Sequence, residues 1–131
     1  MATIQFNKPP GGAKLVNITP SFRHKRYGGT LASSSTAILT ADNKTLILDK
    51  ILLTEYSGNA RTVDLRLKQA NAADADTQYL FQDVALASKE TVVIEGPFVL
   101  QRGDETTGDV LAGLCSAATS VNIHIFYREE I

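Results

Sequence analysis

The side chains best suited to chemistry are few, and they stand apart in the sequence. His24 and His124 lie near opposite ends of the chain, and Cys115 is the single cysteine among 131 residues. A zinc site needs closely spaced Cys, His or carboxylate ligands, and a nucleophile needs a base and an orienting group. No such cluster, no Gly-x-Ser-x-Gly element and no phosphate-binding glycine motif is present. The sequence therefore predicts no enzyme, no metal and no cofactor.

Positive charge is concentrated in the first 35 residues. This segment has a balance of +5 with no Asp or Glu, whereas residues 36–131 hold the other 8 basic residues and all 14 acids, a balance of −6. Such asymmetry is typical of an interaction arm. Its partner could be the acidic body of another copy or an acidic neighbouring protein. Nucleic acid is a third option, which is disfavoured because an acidic body repels phosphates.

The compartment follows from what the chain lacks. No apolar run reaches the length of a signal peptide or a membrane span, so no membrane association is expected. A lone cysteine forms no intrachain disulfide, which fits assembly in a reducing cytoplasm.

From Thr36 onward, apolar residues recur with period two, and turn residues interrupt them every eight to twelve positions. This pattern is typical of antiparallel strands. The strand candidates are Thr36–Ala41, Thr45–Ser57, Arg61–Gln69, Gln78–Leu86, Thr91–Gly96, Pro97–Gln101, Asp109–Ser116 and Ser120–Glu129. About eight strands predict an all-β fold, an antiparallel β-sandwich that is jelly-roll-like or Ig-like. The segment Ala70–Gln78 lacks an apolar stripe and is predicted to be a loop.

Two strands show the alternation clearly enough to assign their faces. In Arg61–Gln69 the residues Val63, Leu65 and Leu67 should face the core. In Ser120–Glu129 the residues Val121, Ile123 and Ile125 share one face. This places His124 on the solvent side. Cys115 is expected to be a small buried apolar residue.

Residues 1–35 follow neither period and are predicted to be an extended basic arm, with the sandwich domain at 36–131. Two interpretations of its spaced apolar residues stay open: an extra edge strand on its own sandwich, or anchors in grooves of neighbouring subunits. Pro and Gly disfavour an internal strand, which favours the second interpretation. The predicted interface residues are Phe6, Lys8, Lys14, Phe22, Arg23, Lys25, Arg26 and Tyr27.

Three stretches of the body have a recognisable cadence. They are "KTLILDKILLTEYSGNARTVDLRL" (Lys44–Leu67), "YLFQDVALASKETVVIEGPFVLQRGD" (Tyr79–Asp104) and "SAATSVNIHIFYRE" (Ser116–Glu129). Together they resemble the small all-β virion structural proteins of tailed bacteriophages, of the head decoration (cement) type or the tail- and neck-associated type. The chain departs from that pattern at Ala41–Asn43, where the family has a proline–alanine–glycine turn, and in the long turn Gly103–Gly113.

The resemblance implies a role, a partner and a place. It points to a capsid decoration or cement protein that forms homo-oligomers, most plausibly trimers. Such a protein docks its arm on the major capsid protein or another virion structural protein. Its localisation would be the virion, after assembly in the host cytoplasm. The alternative is a tail-, neck- or fibre-associated virion module. A carbohydrate-binding sandwich for host attachment ranks lowest, because the chain has no Trp.

Overall fold

The computed structural model describes residues 21–69, 78–103 and 108–131, and this part of the chain folds into eight β-strands. They are β1 (Phe22–Thr30), β2 (Thr36–Thr40), β3 (Leu46–Glu55), β4 (Arg61–Lys68), β5 (Gln78–Leu86), β6 (Thr91–Leu100), β7 (Val110–Cys115) and β8 (Val121–Glu130). The predicted loop at 70–77 and the predicted arm at 1–20 lie outside the described residues.

The strands form two antiparallel sheets of four strands each. Sheet A has the order β1-β8-β3-β6, and sheet B has the order β2-β7-β4-β5. Most strands that are consecutive in the chain lie in different sheets, so the connections cross repeatedly from one layer to the other. This arrangement is a jelly roll, which confirms the all-β sandwich and selects the first of the two predicted variants.

The core lies between the sheets and is filled by the inward side of each alternating strand. Ile51, Leu53 and Ile125 from sheet A, and Val63 and Leu65 from sheet B, are fully buried. Because successive strand residues point to opposite faces, the period-two pattern in the sequence becomes one buried and one outward layer. The predicted core positions in β4 and β8 are confirmed, with Leu67 only half-buried at the end of β4.

The last part of the predicted arm is a strand of the sandwich. β1 pairs with β8 from Phe22↔Glu130 to Thr30↔Asn122, and Leu31 after it is buried in the core. The structure thus shows the edge-strand alternative for this part of the segment. The glycines do not spoil the strand because a Cβ on Gly28 would meet the His124 ring at 3.0 Å, so the ring takes the place of a side chain.

Strand β6 joins two predicted strands into one. The sequence analysis gives Thr91–Gly96 and Pro97–Gln101 as two strand candidates, and proline cannot donate to a strand ladder. In the structure, the β3–β6 register shifts at this point, from Leu48↔Phe98 to Lys50↔Glu95. β6 is also an edge strand. Pro97 therefore lies at an edge and at a register shift, where the ladder of hydrogen bonds is already irregular.

Candidate interaction surface

Outward side chains of sheet A form a grid of cross-strand rows. The row at one end is polar: the Thr30 hydroxyl donates to Asn122 Oδ1 at 3.0 Å, and the hydroxyls of Thr54 and Thr91 lie 3.0 Å apart. The next three rows, read from β1 to β6, are Gly28–His124–Leu52–Val93, Arg26–Phe126–Lys50–Glu95 and His24–Arg128–Ile47–Val99. We call this side of the sheet the outer face.

An apolar patch occupies the centre and the β6 side of the outer face. It consists of two cross-strand pairs, Leu52–Val93 and Ile47–Val99, and of Phe126 on β8. The Lys50–Glu95 ion pair lies in the row between the two apolar pairs, next to Phe126. Val93, Val99 and Phe126 are 48%, 45% and 39% exposed, and they are half of the large apolar side chains exposed in the described part of the chain. Clustered exposed apolar residues typically mark a contact surface.

A basic margin borders the patch on the β1 side. It consists of His24 and Arg26 from β1 and of His124 and Arg128 from β8; Arg26 lies opposite Phe126, and His24 opposite Arg128. Arg128 donates from Nη2 to Asp49 Oδ1 at 2.8 Å and from Nε to Asp49 Oδ2 at 3.0 Å. These hydrogen bonds outweigh desolvation and raise the pKa of Arg128 above its ordinary value. Such paired bonds hold its side chain in one orientation on the face.

The residues predicted as one interface divide between two sides of β1. Phe22 and Arg26 lie on the outer face, whereas Arg23, Lys25 and Tyr27 occupy the alternate positions that face sheet B. Tyr27 is opposite Ile125 and packs against the core.

Lys25, which was predicted to contact a partner, forms an ion pair within the chain itself. Lys25 Nζ lies 3.5 Å from Glu129 Oε1, and Arg23 is directly opposite Glu129 in the ladder. The remaining predicted interface residues, Phe6, Lys8 and Lys14, lie outside the described residues, so their role stays a prediction.

The apolar patch was missed by the sequence analysis, although a signal for it exists. A strand with one solvated face alternates strictly, whereas continuous apolar runs indicate cover on both faces. The chain breaks the alternation at Ile51-Leu52-Leu53, at Val92-Val93-Ile94 and at Ile125-Phe126-Tyr127. In each run the middle residue lies on the outer face and belongs to the patch.

The buried acid Glu55 serves the fold. It is fully buried at the end of β3, where its carboxylate accepts hydrogen bonds from the backbone N–H groups of Ser57, Gly58 and Asn59 and from the Ser57 hydroxyl. Burial opposes ionisation, but these donors prevail and lower its pKa from 4.5 to about 2. An acid this strong stays ionised at neutral pH and cannot act as a general acid there.

Two open depressions near sheet B bring no reactive pair together. One of ≈ 590 Å³ is lined partly by Ser116 and Glu90, and both side chains accept backbone N–H groups, from Thr62 and Ala87 respectively. The other, of ≈ 460 Å³, is lined by Arg66 and Lys68 among small side chains. Neither places a nucleophile beside a base.

No group of three or more His, Cys, Asp or Glu residues at 21–69, 78–103 and 108–131 could hold a metal ion. Within the same ranges, no helix has the length and apolar character needed to cross a membrane.

The strand order of the two sheets places the protein in the class of jelly-roll domains.

No protein-family model and no curated protein matches the chain. Solved structures do match it. A chain from the crystal structure of the T13 IBDV viral particle covers 98% of this chain, with a TM-score of 0.53 and 8% identity. A chain from the structure of the infectious bursal disease virus Gx strain covers 98%, with a TM-score of 0.51 and 10% identity.

These likenesses concern the fold. This chain spans 35% and 36% of the length of the two viral chains, about a third of each. At 8–10% identity, the comparison shows a shared jelly-roll architecture. The tailed-bacteriophage resemblance of the sequence remains a prediction beside it.

Proposed function

We propose that the protein is a non-enzymatic structural component of a virion, and specifically a capsid decoration (cement) protein that docks on the shell. The observation that carries the proposal is the sheet order β1-β8-β3-β6 over β2-β7-β4-β5, matched along 98% of the chain by a chain of a viral particle. The cadence shared with small virion proteins supports the same role independently of the fold.

The outer face supports this role because its chemistry suits a broad protein contact. Covering exposed apolar side chains with a partner lowers the free energy of the complex. A polar or charged rim around such a contact is typical of protein interfaces. A shell protein that presents apolar side chains bordered by acids would complement the apolar patch and the basic margin. Residues 1–20 would add a second contact as the docking arm, and homo-oligomers would multiply both contacts by avidity.

Copy number tests the position in the particle. Quantitative mass spectrometry of purified particles should give a ratio to the major shell protein near one to one, or a simple fraction of it. A few copies or about a dozen would move the protein to the neck or tail, as in the alternative prediction. Complete absence from particles would overturn the virion role itself.

The outer face can be tested by a single substitution. Phe126→Glu should lower binding to shells that lack the protein by about tenfold or more, because it removes an exposed apolar ring from the contact and puts a charge in its place. The fold should tolerate the change, since residue 126 lies between Arg26 and Lys50 in the sheet.

A matched control for that experiment is Tyr56→Glu. Tyr56 is 38% exposed, close to the 39% of Phe126, but it lies in the turn after β3 rather than on the outer face. Binding should be measured by co-sedimentation with shells, and folding by thermal unfolding. Equal binding of the two variants would contradict a docking role for the face.

A further inference from the structure

Three of the four edge strands among the described residues are interrupted. β6 contains Pro97 and pairs with β3 through a register shift. The pairing of β5 with β4 shifts twice, and Asp83 in β5 has a φ of 54°. β2 is five residues long and shifts between Ala37 and Leu39. Such irregularities prevent a further strand from pairing in a continuous ladder.

Strand β1 is the regular edge. Its nine residues pair with β8 without a register shift and contain no proline. The backbone hydrogen bonds at its two ends define which residues bond to β8: Ile131 N–H donates to Ser21 O at 2.9 Å, and Leu31 N–H donates to Val121 O at 3.0 Å. Odd-numbered residues of β1 therefore bond to β8. The even-numbered residues point their N–H and C=O groups away from the sheet, and they are Phe22, His24, Arg26, Gly28 and Thr30.

We propose that β1 receives an extended acidic segment of another protein as a fifth strand of sheet A. The outward backbone groups of β1, which have no strand partner within the described residues, supply the ladder. The basic side chains select the charge of the incoming strand. Arg23, His24, Lys25 and Arg26 are consecutive and exposed. Lys25 is paired with Glu129, whereas His24 and Arg26 make no ion pair within the described ranges.

The same charges disfavour the occupants that this chain could supply. A second β1 would place like charges opposite each other, which destabilises a strand pair. Residues 1–20 contain Lys8 and Lys14 and no acid, so they complement β1 no better. The three other edges of a second copy are interrupted, as described above. An acidic segment of a different protein meets both the backbone and the charge requirement.

This inference stands on the edge itself and does not depend on the virion role. The test uses the purified chain and a probe peptide with fluorescein at its N-terminus, fluoresceinyl-TEVEVEVT-amide. Its control is the lysine peptide fluoresceinyl-TKVKVKVT-amide. We expect saturable binding of the acidic peptide in fluorescence anisotropy, weakened by added salt, and no binding of the basic peptide.

The decisive comparison is Arg26→Pro with Arg26→Ala. Both substitutions remove the guanidinium group, but only proline removes the outward N–H, and an edge position tolerates proline when that N–H faces solvent. We expect Arg26→Pro to bind the acidic peptide at least about tenfold more weakly than Arg26→Ala, the effect of losing ladder hydrogen bonds in the incoming strand. Equal affinities of the two variants would overturn the proposal.

Amide hydrogen exchange of the wild-type chain gives a second readout that does not rely on a variant folding. The acidic peptide should slow exchange of the N–H groups of His24, Arg26 and Gly28. Protection elsewhere, or none at all, would contradict strand addition at β1. Protection of these amides that rises with protein concentration alone would assign the edge to a second copy and overturn the proposed occupant.

Discussion

Replacing Gly96 by alanine should destabilise the protein by about 3 kcal/mol, which corresponds to a fall of roughly 10 °C in the thermal midpoint. A Cβ at this position would lie 2.1 Å from the Leu48 carbonyl oxygen and 3.1 Å from that of Asp49. Both atoms belong to the backbone of β3 at its register shift, so no side chain can rotate away. The substitution forces β3 and β6 apart beside the buried Leu48 and Ile51.

Gly28→Ala is the matched control, because Gly28 also lies in an edge strand of sheet A. Its Cβ would meet only the exposed side chain of His124, at 3.0 Å, and that ring can move. Alanine there should change the midpoint by no more than about 2 °C, the range of ordinary surface substitutions. Thermal unfolding by circular dichroism measures both variants. A Gly96→Ala protein as stable as wild type would contradict the close approach of β3 to β6.

Glu55→Gln should lower the thermal midpoint at pH 7 by on the order of 10 °C, because an amide replaces a buried charged acceptor. The glutamine NH₂ group would face N–H donors where the carboxylate now accepts bonds from Ser57, Gly58 and Asn59. The turn between β3 and β4 would lose its central acceptor, while the backbone bond from Glu55 N–H to Glu90 O at 2.9 Å remains.

The effect should depend on pH in a defined direction. Although burial opposes ionisation, the hydrogen bonds lower the pKa of Glu55 from 4.5 to about 2 in the folded protein. A lowered pKa means that the carboxylate stabilises the fold fully above pH 4.5 and loses this contribution as the pH falls toward 2. The difference in midpoint between wild type and Glu55→Gln should therefore be constant near neutrality and shrink between pH 4.5 and 2.

Glu95→Gln provides the control for that series. Glu95 is exposed on the outer face, with its Oε1 3.7 Å from Lys50 Nζ, and exposed ion pairs contribute little to stability. Its variant should unfold at nearly the wild-type temperature throughout the pH range. A pH-independent difference between wild type and Glu55→Gln would show that the carboxylate is not the ionised acceptor of the turn.

The sequence analysis assigned both apolar and basic contacts with partners to one basic arm. In the structure, the outer face and the β1 edge are two different surfaces for such contacts. The outer face offers apolar side chains with a basic margin, and β1 offers backbone groups beside basic side chains. Arg26 belongs to both, because its side chain lies on the outer face and its N–H points along the edge. Phe126→Glu and Arg26→Pro address them separately, since the first leaves the edge backbone intact and the second leaves the apolar patch intact.

By itself, the sequence determined the features that depend on local chemistry. The period-two pattern of residues such as Val63 and Leu65 predicted strands and their inward faces, because the pleat alternates side chains whatever the strand's neighbours are. The exposure of His124 followed from the same alternation, and the burial of Cys115 followed from its character as a small apolar side chain. Composition and turn residues were enough to predict an all-β sandwich.

Only the tertiary structure decided which strands are neighbours, and with them the candidate surfaces. In the sequence, Gly28 and Gly29 argue against a strand at β1. In the structure, β8 places the His124 ring beside Gly28, where a side chain of residue 28 would otherwise lie. The apolar patch combines β3, β6 and β8, and Arg128 meets Asp49 from 79 residues away. Strand order depends on contacts between segments that are far apart in the sequence. The loop-closure entropy and the packing energy of these contacts leave no local pattern in the chain. The position of β1 at an edge of sheet A is of the same kind, because it depends on which of the described strands pair with each other.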